Sequence, residues 1–345
     1  MMPRPHVRNR WRSGSRAAAL LVGWACTACI CLGDPPAERV QTLADVDWDK
    51  TLLLMDASIQ AYRAYDPHPS PPVAPAGYEI VDTWSGFDRM AHHRGAVEVY
   101  GLVLRSLEVR SRYVFAFRGT DSLLDALKDL DAAKTAFKPY ERSVSVPAGV
   151  EVEAGFAGVY TQSDGKQPAM QAQLFALLDR YAAEPEPLGE LWITGHSLGS
   201  SLSELFTLDV ALCRPQLRSS NINFACPRVG NQAFVDFYTA QPAQQDSALR
   251  TVRVQNVSDR VPCLPPESMG LVHVPQRFLI AFCEDSLWDP ESLLHNHASA
   301  NYQAVLECAS RAEDGVCVRK SLPVPGAKGS LTSVRPEARD VCRCW

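Results

Sequence analysis

Residues 191–205 read Leu-Trp-Ile-Thr-Gly-His-Ser-Leu-Gly-Ser-Ser-Leu-Ser-Glu-Leu: an apolar run that stops at Gly195, a serine at position 197, and then a helical pattern. Leu191, Trp192 and Ile193 make a short strand of the kind buried on both faces, whereas Leu198, Leu202 and Leu205 recur at helical spacing. A serine between the two sits on a strand–turn–helix elbow, and a turn that sharp admits only glycine-sized neighbours two residues to either side. Gly195 and Gly199 occupy those places, with His196 between the first of them and Ser197. The helix that begins at Leu198 aims its first N–H groups and its dipole at any charge developing beside the serine, so the Leu198 N–H is a candidate oxyanion donor. G-x-S-x-G alone also describes a plain turn; the strand before it and the helix after it are what give it weight.

At the start of the 345-residue chain, Arg4, Arg8, Arg10, Arg12 and Arg16 precede an uncharged apolar run over 17–32. This is the layout of an export signal, residues 1–33, with a cleavage point near Gly33. The run is shorter than the roughly 20 residues that a membrane span requires. Cys26-Thr27-Ala28-Cys29 faintly resembles a lipid-modification site but lacks the usual leucine, so the expectation is an exported protein without a lipid anchor. The net charge of −5 and the absence of a basic stripe interleaved with aromatics argue against a nucleic-acid partner. Cys213, Cys226, Cys263, Cys283, Cys308, Cys317, Cys342 and Cys344 form an even set for an oxidising compartment, and disulfides are expected among them. Cys226, in a strand-like run, also reads as a plain buried thiol.

Residues 34–310 fit one α/β domain, and 311–345 lose periodicity and read as a cysteine-containing tail. Within the domain, the pattern predicts a helix near 50–65, a Pro-rich extended connector over 66–77, strands over 96–104 and 107–117, and a helix near 167–183. His92-His93 lies in a polar segment without further ligands at metal spacing and reads as a solvated loop. Residues 121–138 are amphipathic, with Leu123, Leu124, Leu127 and Leu130 on one face and Asp125, Lys128 and Asp129 opposite. Such a helix either packs permanently on the body or acts as a lid whose apolar face covers a pocket in water and meets a lipid surface when open.

Phe117-Arg118-Gly119-Thr120, Val150 to Phe156, the Gly195 to Ser200 elbow, Phe224 to Asn231 and Asn256 to Pro262 together resemble the class 3, or fungal-type, lipases. The resemblance implies an α/β-hydrolase fold: a mostly parallel central sheet with helices on both faces and a helical lid at 121–138. It also implies that Thr120 supplies an oxyanion donor opposite Leu198. The chain departs from the family pattern at Glu153, where histidine is usual, at Ser200, where glycine is usual, and at Ala126, where tryptophan is usual. Arg118 reads as a structural partner of an acid, and Asn231 as a helix N-cap.

A serine hydroxyl needs a base, and the base needs an orienting carboxylate, which in this fold follow the nucleophile in the order acid, histidine. Asp236, Asp246, Asp259 and Asp285 all lie downstream of Ser197. Asp259 falls just beyond the strand Thr251 to Asn256, in the family's Asn-x-x-Asp-x-Val-Pro segment. His273 sits in an apolar run as a packed histidine, while His295 and His297 flank Asn296 just before a helix. The family's five-residue spacing to a tyrosine, here Tyr302, selects His297. The sequence is thus read as a serine ester hydrolase with Ser197, Asp259 and His297 as its triad. No metal or cofactor enters that chemistry. A lipid ester is the first substrate class, with a polar or aromatic ester, or a silent binding module, as alternatives.

Overall fold

In Tyr113-Val114-Phe115-Ala116-Phe117 every side chain is buried, the odd-numbered ones in one apolar cluster and the even-numbered ones in another. Successive strand residues point to opposite faces, so this is a central strand covered on both sides. The structure, a computed structural model, describes residues 39–65, 69–87, 97–120, 133–163, 165–246, 248–282, 290–312, 322–324 and 332–333. Apart from a one-turn helix at Pro242–Gln245 and three short 3-10 turns, the elements among the described residues are, in chain order, β1 (Arg39–Val40), α1 (Trp48–Arg63), β2 (Tyr78–Phe87), β3 (Val97–Ser106), β4 (Arg112–Phe117), β5 (Lys134–Ala136), β6 (Glu151–Glu153), α2 (Ala154–Thr161), α3 (Met170–Ala182), β7 (Glu190–Gly195), α4 (Leu198–Cys213), β8 (Arg218–Phe224), α5 (Gln232–Thr239), β9 (Val252–Asn256), β10 (Gln276–Phe282), α6 (Pro290–His297), α7 (Ser299–Ala309) and β11 (Thr332–Ser333).

The main sheet runs β1-β10-β9-β8-β7-β4-β3-β2. It is parallel from β1 through β4 and antiparallel at β3 and β2, and β11 adds antiparallel to the end of β10. Helices α2, α3 and α4 cover one face, where Phe156, Leu174, Leu202 and Phe206 pack with Phe115 and Ile193. Helices α1 and α7 cover the other, where Leu54, Met55, Tyr302 and Val305 pack with Leu102, Phe224 and Ile280. The C-terminal ends of β4, β7 and β9, which are close neighbours in the sheet, therefore open on one rim. That rim is where parallel α/β sheets mount their sites.

The single long strand read over 107–117 is a turn followed by β4. Ser106 Oγ accepts the Val109 N–H at 3.0 Å and Arg112 N–H reaches the Val109 carbonyl at 2.8 Å, which closes a hairpin between β3 and β4. Residues 121–132, with Leu123, Leu124, Leu127 and Leu130, lie outside the described residues, as do the signal 1–33 and His92-His93. The end of the expected lid helix is corrected: Lys134–Ala136 is a strand paired antiparallel with β6. Cys213 and Cys226 are free and buried. Among the described residues no helix is long and apolar enough to cross a membrane.

Candidate active site

Ser197 holds φ 59° and ψ −130°, a region that a non-glycine residue enters only at a cost of about 1–3 kcal/mol. The neighbours show why the elbow needs glycine. A Cβ on Gly195 would stand 2.3 Å from the Gly199 carbonyl oxygen, and one on Gly199 would stand 2.4 Å from the Phe117 oxygen. Gly119 is equally tight: its Cβ would lie 2.1 Å from the Tyr62 hydroxyl and 3.1 Å from Ser197 Cβ. The end of β4 is thereby pressed against the elbow, and Thr120 follows immediately. Ser197 N–H donates to the Phe224 carbonyl at 3.0 Å, and Ser200 Oγ bonds the Ser197 carbonyl, so the small residue at 200 supports the turn. Leu198 is the first residue of α4, where an N–H has no partner within its own helix.

Asp259 lies three residues beyond β9 and is 1% exposed. Its Oδ1 accepts the Val261 N–H at 2.9 Å, and its Oδ2 accepts the Tyr302 hydroxyl at 2.8 Å and His297 Nδ1–H at 2.7 Å. A carboxylate only accepts, so in the neutral imidazole Nδ1 carries the hydrogen and Nε2 keeps the lone pair. His297 Nε2 is buried and has no hydrogen-bond partner among the described residues. His295 is elsewhere engaged, with Nδ1–H donated to the Val324 carbonyl at 2.6 Å. Asp236 and Asp246 are exposed, Asp285 lies outside the described residues, and His273 donates Nε2–H to the Pro262 carbonyl at 2.7 Å.

His196, beside the serine, ties the two halves of the site together. Burial, with His297 alongside, holds its pKa well below the ordinary histidine value. The ring is then neutral, with Nε2–H donated to the His297 carbonyl at 2.8 Å and Nδ1 accepting the Tyr62 hydroxyl at 2.9 Å. The two imidazoles lie 4.6 Å apart, centre to centre. Ser197, His196 and His297 thus occupy one buried cluster at 3–5% exposure.

Residues 114–269 match the family model of class 3 lipases. The chain is 32% identical over 179 residues to a lipase of Rhizopus niveus, covering 50% of this chain and 39% of that protein. It is 30% identical over 237 residues to phospholipase A1-II 7 of Oryza sativa subsp. indica, covering 62% of this chain and 53% of that one. Over residues 114–269 the chain is therefore similar to the class 3 lipases. It spans about half the length, or less, of these two curated relatives. Its backbone is similar to the triacylglyceride lipase of Rhizomucor miehei with a TM-score of 0.53 at 24% identity, over 70% of this chain and 82% of that one, and the fold is that of the α/β-hydrolases.

Where the chain departs from the class 3 lipase motifs, the structure accommodates the change. Glu153, in the usual histidine position, is buried and caps α2 by accepting the Phe156 N–H at 2.7 Å. Arg118 is buried, pairs with Glu98, donates to the Val99 carbonyl at 2.6 Å, and stacks on Tyr65 and Tyr100. These contacts brace the end of β4. Asn231 caps α5 by accepting the Phe234 N–H at 2.9 Å. Sequence reasoning passed over Tyr62, Gly119 and Asn256. Asn256 Nδ2 donates to the Asn296 carbonyl at 2.9 Å and its N–H to the Tyr302 hydroxyl at 2.9 Å, joining the end of β9 to the segment that carries His297.

Proposed function

We propose that the protein is a serine ester hydrolase whose triad is Ser197, His297 and Asp259. The observation that carries this reading is the buried His297 Nδ1–Asp259 Oδ2 bond of 2.7 Å, which leaves Nε2 as an unengaged base on the rim that presents Ser197. His297 Nε2 takes the Ser197 proton as Oγ attacks the ester carbonyl, then returns it to the departing alcohol. Asp259 holds the tautomer and stabilises the imidazolium that forms between those steps. The Leu198 N–H, with the helix dipole behind it, and Thr120 receive the oxyanion; each such donor contributes about 10²–10³-fold in comparable sites. Water, activated by the same histidine, then releases the acyl group. No cofactor is called for.

The substrate class is a lipid ester, supported by relatives that are themselves a lipase and a phospholipase A1. Export is part of the proposal, supported by the arginine-flanked apolar run at 1–33 and by Cys263 and Cys308, both disulfide-bonded. The test is initial rates on emulsified long-chain acylglycerol and phospholipid beside soluble short-chain and aromatic esters, with Ser197→Ala as the blank. Turnover concentrated on the long-chain emulsions and lost in Ser197→Ala is the expected result. Turnover confined to short or aromatic esters moves the enzyme to the polar esterases, and turnover unchanged in Ser197→Ala removes the serine mechanism.

A further inference from the structure

Residues 322–324, Leu-Pro-Val, lie well beyond the family match at 114–269, yet they are seated against the turn that carries His297. Leu322 is 5% exposed and joins the apolar cluster of Tyr302, Val305 and Leu306 in α7. Asn301, fully buried, grips Val324 with both ends of its amide: Oδ1 accepts the Val324 N–H at 2.9 Å and Nδ2 donates to the Val324 carbonyl at 3.1 Å. The same Nδ2 donates to the His295 carbonyl at 2.9 Å, while His295 Nδ1–H reaches the Val324 carbonyl at 2.6 Å. Both backbone polar groups of Val324 are therefore taken by residues that bracket His297. Further along, β11 pairs with Ala281 and Phe282 at the end of β10.

The local sequence suits this use. Pro323 and Pro325 have no N–H, so Val324 supplies the one backbone donor of the run, and a residue before proline is held extended. We propose that Leu322–Val324 is a positioning strap: through Asn301 and His295 it fixes the 295–298 turn and so holds His297 in register with Asp259 and Ser197. Asn301 and His295 are positioning residues in this account, and His295 is the strap's anchor, not a spare base. The inference rests on the triad reading above.

Val324→Pro in the full chain deletes the N–H that Asn301 Oδ1 accepts. Val324→Ala is its control, because Val324 is an exposed residue whose bonds to Asn301 and His295 are all made by its backbone. The readouts are kcat and KM on a soluble ester and the rate constant for fluorophosphonate labelling of Ser197. Displacing a catalytic group by about 1 Å costs ~10²-fold, so loosening the turn should lower kcat and labelling roughly tenfold in Val324→Pro. KM should stay within about twofold, and Val324→Ala should match wild type. Wild-type kcat and labelling in Val324→Pro overturn the strap. Should Val324→Pro fail to fold, Leu322→Ala decides by the same readouts: slowed labelling at unchanged KM supports the strap, and wild-type labelling overturns it. A wild-type protein that does not label at all overturns the triad reading instead, so the two failures are told apart.

Discussion

Replacing Gly199 by alanine tests the geometry of the elbow at a single carbon atom. The added Cβ would stand 2.4 Å from the Phe117 oxygen and 2.7 Å from the Arg118 carbonyl atoms, all of them backbone, whereas ordinary contact begins at 3.4 Å. Either α4 or the end of β4 must retreat by roughly 1 Å, the difference between those distances, and neither has a flexible side chain to yield instead. Overpacking of this kind costs about 1–3 kcal/mol, and a 1 Å displacement of the groups around the reacting atom costs about 10²-fold in rate. The expected result is a melting midpoint lowered by several degrees and ester turnover lowered about a hundredfold. Gly158→Ala is the internal control. It lies inside α2, its Cβ would meet nothing nearer than 3.7 Å, and removing a helical glycine is worth about 0.5–1 kcal/mol. That variant should melt slightly higher and turn over normally. Thermal melts and steady-state rates on both proteins decide it. A Gly199→Ala enzyme with wild-type turnover and melting would refute the claim that close approach of β4 and α4 builds the site.

Tyr302→Phe removes the donor to Asp259 and leaves the Asn256 N–H unpaired; we expect about 1–3 kcal/mol lost in denaturant melts and kcat lowered about tenfold with KM held. Tyr62→Phe frees His196 Nδ1 and should lower kcat a few-fold at a stability cost of about 1 kcal/mol, measured in the same two assays. Glu204, buried in α4, has its pKa pushed up from 4.5 to about 7, mainly by burial. The folded state then keeps a proton that the unfolded chain gives up, so the contribution of Glu204 to stability is most favourable below about pH 4.5, falls as pH rises to 7, and flattens above it, by an amount on the order of 3 kcal/mol. Glu204→Gln should flatten most of that slope in melts taken from about pH 5 to about pH 8, leaving a residue from Asp209, whose carboxyl burial also raises. An unchanged slope would show that Glu204 does not titrate in this range.

The elbow, the acid's strand and the family's Pro-Arg-Val-Gly-Asn turn were legible because each is a local pattern, in which strand, turn and helix residues follow one another within about fifteen positions. The family's spacing to Tyr302 selected His297 over His295; in the structure His297 Nδ1 bonds Asp259 and His295 Nδ1 bonds the Val324 carbonyl. Tyr62 was not legible: it meets His196 across 134 positions, and nothing in an amphipathic helix marks one tyrosine as the one that faces the elbow. Gly119 stood in a quoted motif, but its need arises only when α1 and β4 converge on it. Strand β2 escaped because Asp82, Ser85 and Gly86 interrupt its apolar residues on a half-buried edge. Lys134–Ala136 is too short to announce itself, and Leu-Pro-Val at 322–324 has no periodicity to read.

The most direct test of the central claim is intact-mass measurement after fluorophosphonate treatment of the wild type, Ser197→Ala and His297→Ala. The account predicts one adduct on the wild type, none on Ser197→Ala, and labelling of His297→Ala slowed by several orders of magnitude. A wild type that takes no adduct, or a His297→Ala protein that labels at the wild-type rate, would contradict it.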